Sequence, residues 1–178
     1  MPSGISRRIE QCFLHYIEGD YEGALVNLFP ALDKTAKLRY PRLGVGDRFR
    51  SFLNDEMDLI TAIGTGGAGV MTGLEVDGLT MVQALYKFGR TAIAHEGELD
   101  PRLTISHKNL FSFSSQSMVI PHRLVFSMAM VVVIAPENKG ESMQRSLEAV
   151  IFGKNILINE QWGRPGVIRD LFARNLPH

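Results

Sequence analysis

Apolar positions recur at helical spacing through the first hundred residues. Ile5, Ile9, Cys12, Phe13, Tyr16 and Ile17 share one face of a helix predicted over residues 5–18. Ser3 or Ser6 is placed to cap it, and Gly19-Asp20 breaks it. The same spacing carries Ala24, Leu25, Leu28, Phe29, Leu32 and Ala36 along a second helix over residues 21–39. Pro30 falls inside that helix and is expected to kink it, and Tyr40-Pro41 ends it, because the residue before a proline avoids the helical region. Phe49, Phe52, Leu53, Met57 and Ile60 predict a third helix over residues 46–62, with Asp47 near its start. Leu79, Val82, Tyr86, Gly89 and Ile93 predict a fourth, with Asp77 as its cap and Gly97 as its stop. Gly89 is unfavourable inside a helix by about 1 kcal/mol against Ala, so the close approach of another element is expected there.

Beyond Asp100-Pro101 the pattern changes. Residues 110–113 and 118–120 have strand composition and suggest a small hairpin. Pro121 is placed to open an almost wholly apolar helix reaching Ala135, expected to be central, and Pro136 stops it. A polar turn at residues 137–140, a helix over 142–150, two short strands around Gly153-Lys154-Asn155, a turn at 162–166 and a last helix over 167–173 complete the chain. The fold expected is mainly α: a helical bundle in a single domain, with a small β hairpin or strand extension in the C-terminal half, residues 104–178 packing on the bundle.

Composition narrows the function. The net charge is zero, so the strongly basic surface of a tight nucleic-acid binder is absent overall; Arg39, Arg42, Arg48 and Arg50 form one local cluster, read first as a solvated face. Cys12 is the single cysteine, lies on an apolar stripe and is expected to be buried. Residues 1–8 hold no signal-peptide core, and the apolar run from Leu124 to Ala135 is too short to span a bilayer. A cytoplasmic protein without a membrane segment fits these features. Gly64-Thr65-Gly66-Gly67-Ala68-Gly69 matches Gly-x-Gly-x-x-Gly, but the run before it has helical period, and Gly73 and Gly78 interrupt the residues after it. A dinucleotide fingerprint needs a strand before and a helix after, so the stretch is read as a connecting loop. No metal-ligand spacing and no cofactor motif is found. Trp162 is expected in the core or as a lid rather than as a base-stacking platform.

The chemistry concentrates in Tyr86-Lys87-Phe88-Gly89-Arg90-Thr91-Ala92-Ile93-Ala94-His95-Glu96-Gly97. A histidine exchanges protons near neutrality, and an arginine's planar fork matches phosphate oxygens. Together they suit metal-free cleavage of RNA, whose 2′-hydroxyl supplies the nucleophile. Residues five apart on an α-helix stand roughly 140° apart. Convergence of Arg90 and His95 therefore needs the arginine's reach, a distorted last turn, or a second copy of the helix. A structural role for both cations at the negative end of a helix dipole is the plainer reading. Asp33 is either an exposed partner of Lys37 at i, i+4 or the group that orients Arg90.

Arg-x4-His late in a helix of an amphipathic bundle, followed by Glu96-Gly97-Glu98-Leu99, resembles the HEPN family of small all-α domains and its "HEGxL" tail. Asp20 to Asp33 is similar to the family's second helix, which carries an acidic residue after an Ala-apolar pair, here Asp33 after Ala31-Leu32. The likeness covers about residues 5–100. It implies a metal-independent endoribonuclease with Arg90 and His95 as catalytic residues, and Asp33, Thr91 and Glu96 as supports. It also implies RNA as substrate, a homodimer, and a toxin–antitoxin or host-defence setting with an antitoxin protein as possible partner. Thr91 stands where the family usually has Asn, Asp or His. The alternative is a non-catalytic dimerisation or binding module for a protein or nucleotide partner. A third class is a small-molecule sensor walled by the helix near 121–135.

Overall fold

The computed structural model of the chain describes residues 3–67, 69, 73–108 and 111–175. Part of the glycine-rich stretch (68) and Leu110 of the expected hairpin lie outside them. Three long helices come first: α1 (Gly4–Glu18), α2 (Tyr21–Arg39) and α3 (Val45–Gly64). Ser3 caps α1 by accepting from the Ile5 amide, and Gly19 closes it at φ 80°. Asp20 caps α2 through the Gly23 amide, and Tyr40 is its C-cap.

A two-residue hairpin, β1 (Glu75–Val76) with β2 (Leu79–Thr80), comes next. Asp77 lies in its turn at φ 52°, so Asp77 is not the helix cap that the sequence suggested. Thr80 is: its hydroxyl accepts from the Gln83 amide while the Gln83 side chain accepts from the Thr80 amide, a complete capping box. The helix it opens runs as α4 (Met81–Ala84), a π-helical segment (Leu85–Thr91) and α5 (Ala92–Glu96). Gly97 ends it at φ 84°, its amide donating to the Ile93 carbonyl.

The second half contributes strands and one central helix. β3 (Leu103–Ser106) pairs parallel to β5 (Met118–Pro121), and β4 (Ser112–Phe113) pairs antiparallel on the other side, in the order β3-β5-β4. α6 (His122–Ile134) buries Leu124, Val125 and every residue from Ser127 to Ile134. It packs against α1, α2 and α3, so its apolar sequence lies at the centre of the bundle. β6 (Glu148–Ile151) and β7 (Lys154–Leu157) form a hairpin, and α7 (Pro165–Asn175) ends the fold. The architecture is a mainly α-helical bundle with small sheets added, as the hydrophobic pattern indicated.

One element differs outright. The helix expected over 142–150 does not form. The Glu10 carboxylate of α1 takes the Gln144 and Arg145 amides at 3.1 and 3.0 Å, and the Asn159 side chain brackets Met143 at 2.9 and 3.2 Å. These tertiary partners satisfy backbone groups that a helix would otherwise pair internally. Residues 148–151 are strand instead. Cys12 is buried and unpaired, its thiol pushed up well above the ordinary range by burial. Trp162 is buried and donates to Asn159 at 3.3 Å. Among the described residues no helix is long and apolar enough to cross a membrane.

Candidate active site: an arginine held by α2 beside an open histidine

The helix carrying Arg90 and His95 runs against α2. Gly89 makes the approach possible. A Cβ there would stand 2.9 Å from Phe29 Cζ and 3.3 Å from Leu103 Cδ2, so only a glycine lets the buried Phe29 ring sit flush. Leu85 and Phe88 bury the same side of the π-helical segment, in which the backbone bonds widen to i→i+5.

One residue on, Arg90 reaches α2. Its Nε and Nη2 both donate to Asp33 Oδ2, at 2.9 and 2.7 Å. The pair is mostly covered, with 22% and 16% of the side chains exposed. Asp33 therefore faces Arg90 rather than standing in an exposed pair with Lys37. Among the described residues Nη1 of Arg90 has no protein partner, and the guanidinium carbon lies 5.8 Å from the centre of the Tyr86 ring. Two of the three nitrogens are thus committed to α2.

His95 is exposed in the last turn of α5 and makes no hydrogen bond among the described residues. Thr91 is half-buried and four positions earlier, so it shares a face with His95. Glu96 is exposed beside it. No hydrogen bond joins Arg90 to His95: the arginine is directed at α2, the imidazole at solvent. Glu22, in the first turn of α2, accepts the Leu99 amide at 2.8 Å and ties down the tail after Gly97. Asp100 then takes Arg102, whose hydrogen bonds hold its carboxyl down at about 2, and Arg102 lies over the Phe88 ring at 4.1 Å. Among the described residues no group of three or more His, Cys, Asp or Glu is arranged to hold a metal ion.

The family match spans residues 4–176. The chain belongs to the Rv1289 family. It is 28% identical over 167 residues to protein Rv1289 of Mycobacterium tuberculosis (strain H37Rv), and equally to protein Mb1320 of Mycobacterium bovis, covering 85% of this chain and 79% of each relative. Neither relative's name assigns an activity. No solved structure matches the chain.

Three features of this region had no sequence signal. The π-helical segment hides in a run that reads as ordinary helix. β3, a stretch with no strand expectation from the sequence, pairs parallel to β5. The third is a ring cluster where α1, α2, α6 and the loop after β3 meet. His122 Nδ1 lies 2.8 Å from the Tyr16 hydroxyl, and its ring stacks on Tyr21 at 5.0 Å and 14°. His107 packs on Tyr21 at 5.0 Å as well. Tyr16 and His122 are 106 residues apart in sequence, a separation that no local pattern bridges.

Proposed function

We propose that the chain is a metal-independent endoribonuclease of HEPN type, working as a homodimer in the cytoplasm. The observation that carries this reading is the Arg90–Asp33 contact beside an exposed His95. The two stretches that resemble the family meet through that contact. The acidic residue of the second helix grips the arginine of Arg-x4-His, leaving the histidine in solvent.

The groups present define the chemistry. The 2′-hydroxyl of RNA attacks the adjacent phosphorus, the P–O5′ bond breaks, and a 2′,3′-cyclic phosphate and a 5′-hydroxyl result. His95 moves a proton at the 2′-hydroxyl or at the departing 5′-oxygen. Arg90, fixed by Asp33, presents its remaining edge to the charge growing on the phosphoryl oxygens. One imidazole cannot face both oxygens of an in-line displacement, so a second copy across a two-fold axis supplies the other. Thr91 and Glu96 flank the imidazole as supports. A toxin or host-defence role, with an antitoxin protein as partner, belongs to the same proposal through the family resemblance.

The test is incubation of the purified chain with RNA in EDTA beside a His95→Ala copy. Cleavage that survives the chelator and disappears in the variant supports the reading; identical products from both end it. The second reading is a non-catalytic binding module. It is favoured by the charge balance, zero over the whole chain, and by the neutralisation of Arg90 by Asp33. It predicts RNA or nucleotide binding with no chelator-resistant cleavage.

A further inference from the structure

A groove of about 480 Å³ opens beside Thr91, lined by Arg50, Leu79, Gln83, Tyr86, Lys87 and Thr91. That volume falls in the range of about 300–1,000 Å³ typical of small-ligand sites. Gln83, Lys87 and Thr91 succeed one another at four-residue steps, and one more step reaches His95. The groove and the imidazole are joined through Thr91, which lines the groove and stands one turn before His95.

The groove's polarity suits an anion. Arg50 and Lys87 contribute positive charge, Gln83 and Thr91 an amide and a hydroxyl, and among the described residues no carboxylate lines it. Arg50 is held in place twice: its Nη2 donates to Asp47 at 2.7 Å, and its guanidinium carbon lies 5.1 Å from the centre of the Tyr86 ring. Arg90 approaches the same ring, so the two guanidinium carbons stand no farther apart than the sum of their distances to it. Tyr86 is itself wedged by Phe49, at 5.3 Å between ring centres, and by Gly46, where a Cβ would come within 3.1 Å of the phenol oxygen. Lys87 is exposed at the rim.

The surroundings set a direction. A depression of about 430 Å³ that takes in Leu99 and Asp100 of the tail carries Asp20, Glu22 and Asp100, the wrong sign for a phosphate. Past Arg50 and Gln83 the surface deepens into a cleft of about 550 Å³ that carries Asp47 and Glu75. A polyanion leaving Arg90 and His95 thus meets Arg50 and Lys87 in this groove and carboxylates in the two neighbouring depressions. We propose that this groove is a subsite for the nucleotide next to the scissile phosphate, with Lys87 and Arg50 binding its phosphodiester and Gln83 and Thr91 hydrogen-bonding its sugar or base edge. Its place in a reaction rests on the ribonuclease reading; its affinity for a single strand does not.

The experiment measures binding apart from turnover. A 5′-fluorescein-labelled single-stranded oligouridylate is titrated with the His95→Ala chain, and anisotropy is monitored at several KCl concentrations. Lys87→Ala and Arg50→Ala, each added to that background, are expected to weaken binding roughly tenfold, as loss of one charge-assisted hydrogen bond does. Each should also flatten the dependence of log affinity on log salt by about 0.7. Arg50→Lys, which keeps the charge, should recover part of the loss, and Lys154→Ala, on the distant β7 hairpin, should change nothing. Because Lys87 is exposed, Lys87→Glu is expected to fold and to weaken binding further. Unchanged affinity and slope in Lys87→Ala and Lys87→Glu, or no binding by the parent chain, overturns the subsite. Groove-dependent binding without chelator-resistant cleavage by the unaltered chain keeps the subsite and ends the ribonuclease reading. Cleavage with groove-independent binding does the reverse.

Discussion

Two donors of Arg90 converge on one oxygen of Asp33, and the other oxygen, Oδ1, is buried with no hydrogen-bond partner among the described residues. The carboxylate therefore depends on the arginine for its compensation. Asp33→Asn removes the negative charge and leaves the guanidinium facing a neutral amide, which should lower the unfolding free energy by about 1–3 kcal/mol. In urea the midpoint should fall at an unchanged slope. Arg90→Lys is a different experiment. An ammonium is a point charge and cannot bind Asp33 with one edge while offering another to a phosphate. In the ribonuclease reading its cost falls on kcat more than on KM, because the lost contact belongs to the transition state. Steady-state kinetics on a short RNA separates the two, and equal kcat values for Arg90→Lys and the unaltered chain would remove Arg90 from the chemistry.

The helix from Met81 to Glu96 was legible as a helix, and its start, stop and regular face were not equally so. Gly97 reads as a stop because a left-handed residue there is cheap only for glycine, and the structure has it at φ 84°. The sequence points to Asp77 as the cap, and the hairpin between β1 and β2, which puts Asp77 in its turn, gives that place to Thr80. The widening over Leu85–Thr91 was illegible, since a π-helical segment keeps the composition of an α-helix. Asp33 was readable only as one of two alternatives, because sequence gives its spacing to Lys37 but not which face of α2 meets Arg90. Gly89 was the one residue whose cost announced a close neighbour, and Phe29 and Leu103 are that neighbour. Gly89→Ala would gain up to about 1 kcal/mol of helix propensity. It would also push a methyl to 2.9 Å from a ring that is 2% exposed and has nowhere to go. Overpacking of this kind costs about 1–3 kcal/mol, so net destabilisation is expected. A thermal midpoint equal to or above that of the unaltered chain would show that the two helices have slack at this contact.

At the scale of the whole molecule, the ends of the bundle are joined by two polar assemblies. At one end Glu56 of α3 accepts from Arg39 of α2 at 2.8 Å and from Arg169 of α7 at 2.5 Å, while Arg39 also holds Glu137. At the other end His122, at the start of α6, bonds Tyr16 of α1 and stacks on Tyr21 of α2, with His107 and Arg123 close by. Burial, with Arg123 and His107 adding to it, pushes the His122 pKa down from its ordinary 6.5, and burial with the neighbouring Tyr21 lifts the Tyr16 hydroxyl to about 12. Both groups are thereby kept neutral near neutral pH. Between the folded pKa and 6.5 the unfolded chain binds the His122 proton and the folded chain does not, so stability rises with pH across that interval. This contribution is present above about pH 6.5 and is lost as the pH falls through the folded pKa. Thermal unfolding measured from about pH 7.5 to about pH 5 should therefore show a larger loss of midpoint for the unaltered chain than for His122→Gln, which cannot take the proton. Tyr16→Phe keeps the ring and removes the hydroxyl, so it should lower the midpoint at every pH while leaving the acid-dependent part in place. Parallel midpoint curves for the unaltered chain and His122→Gln would mean that another group, not this imidazole, sets the acid response of the bundle.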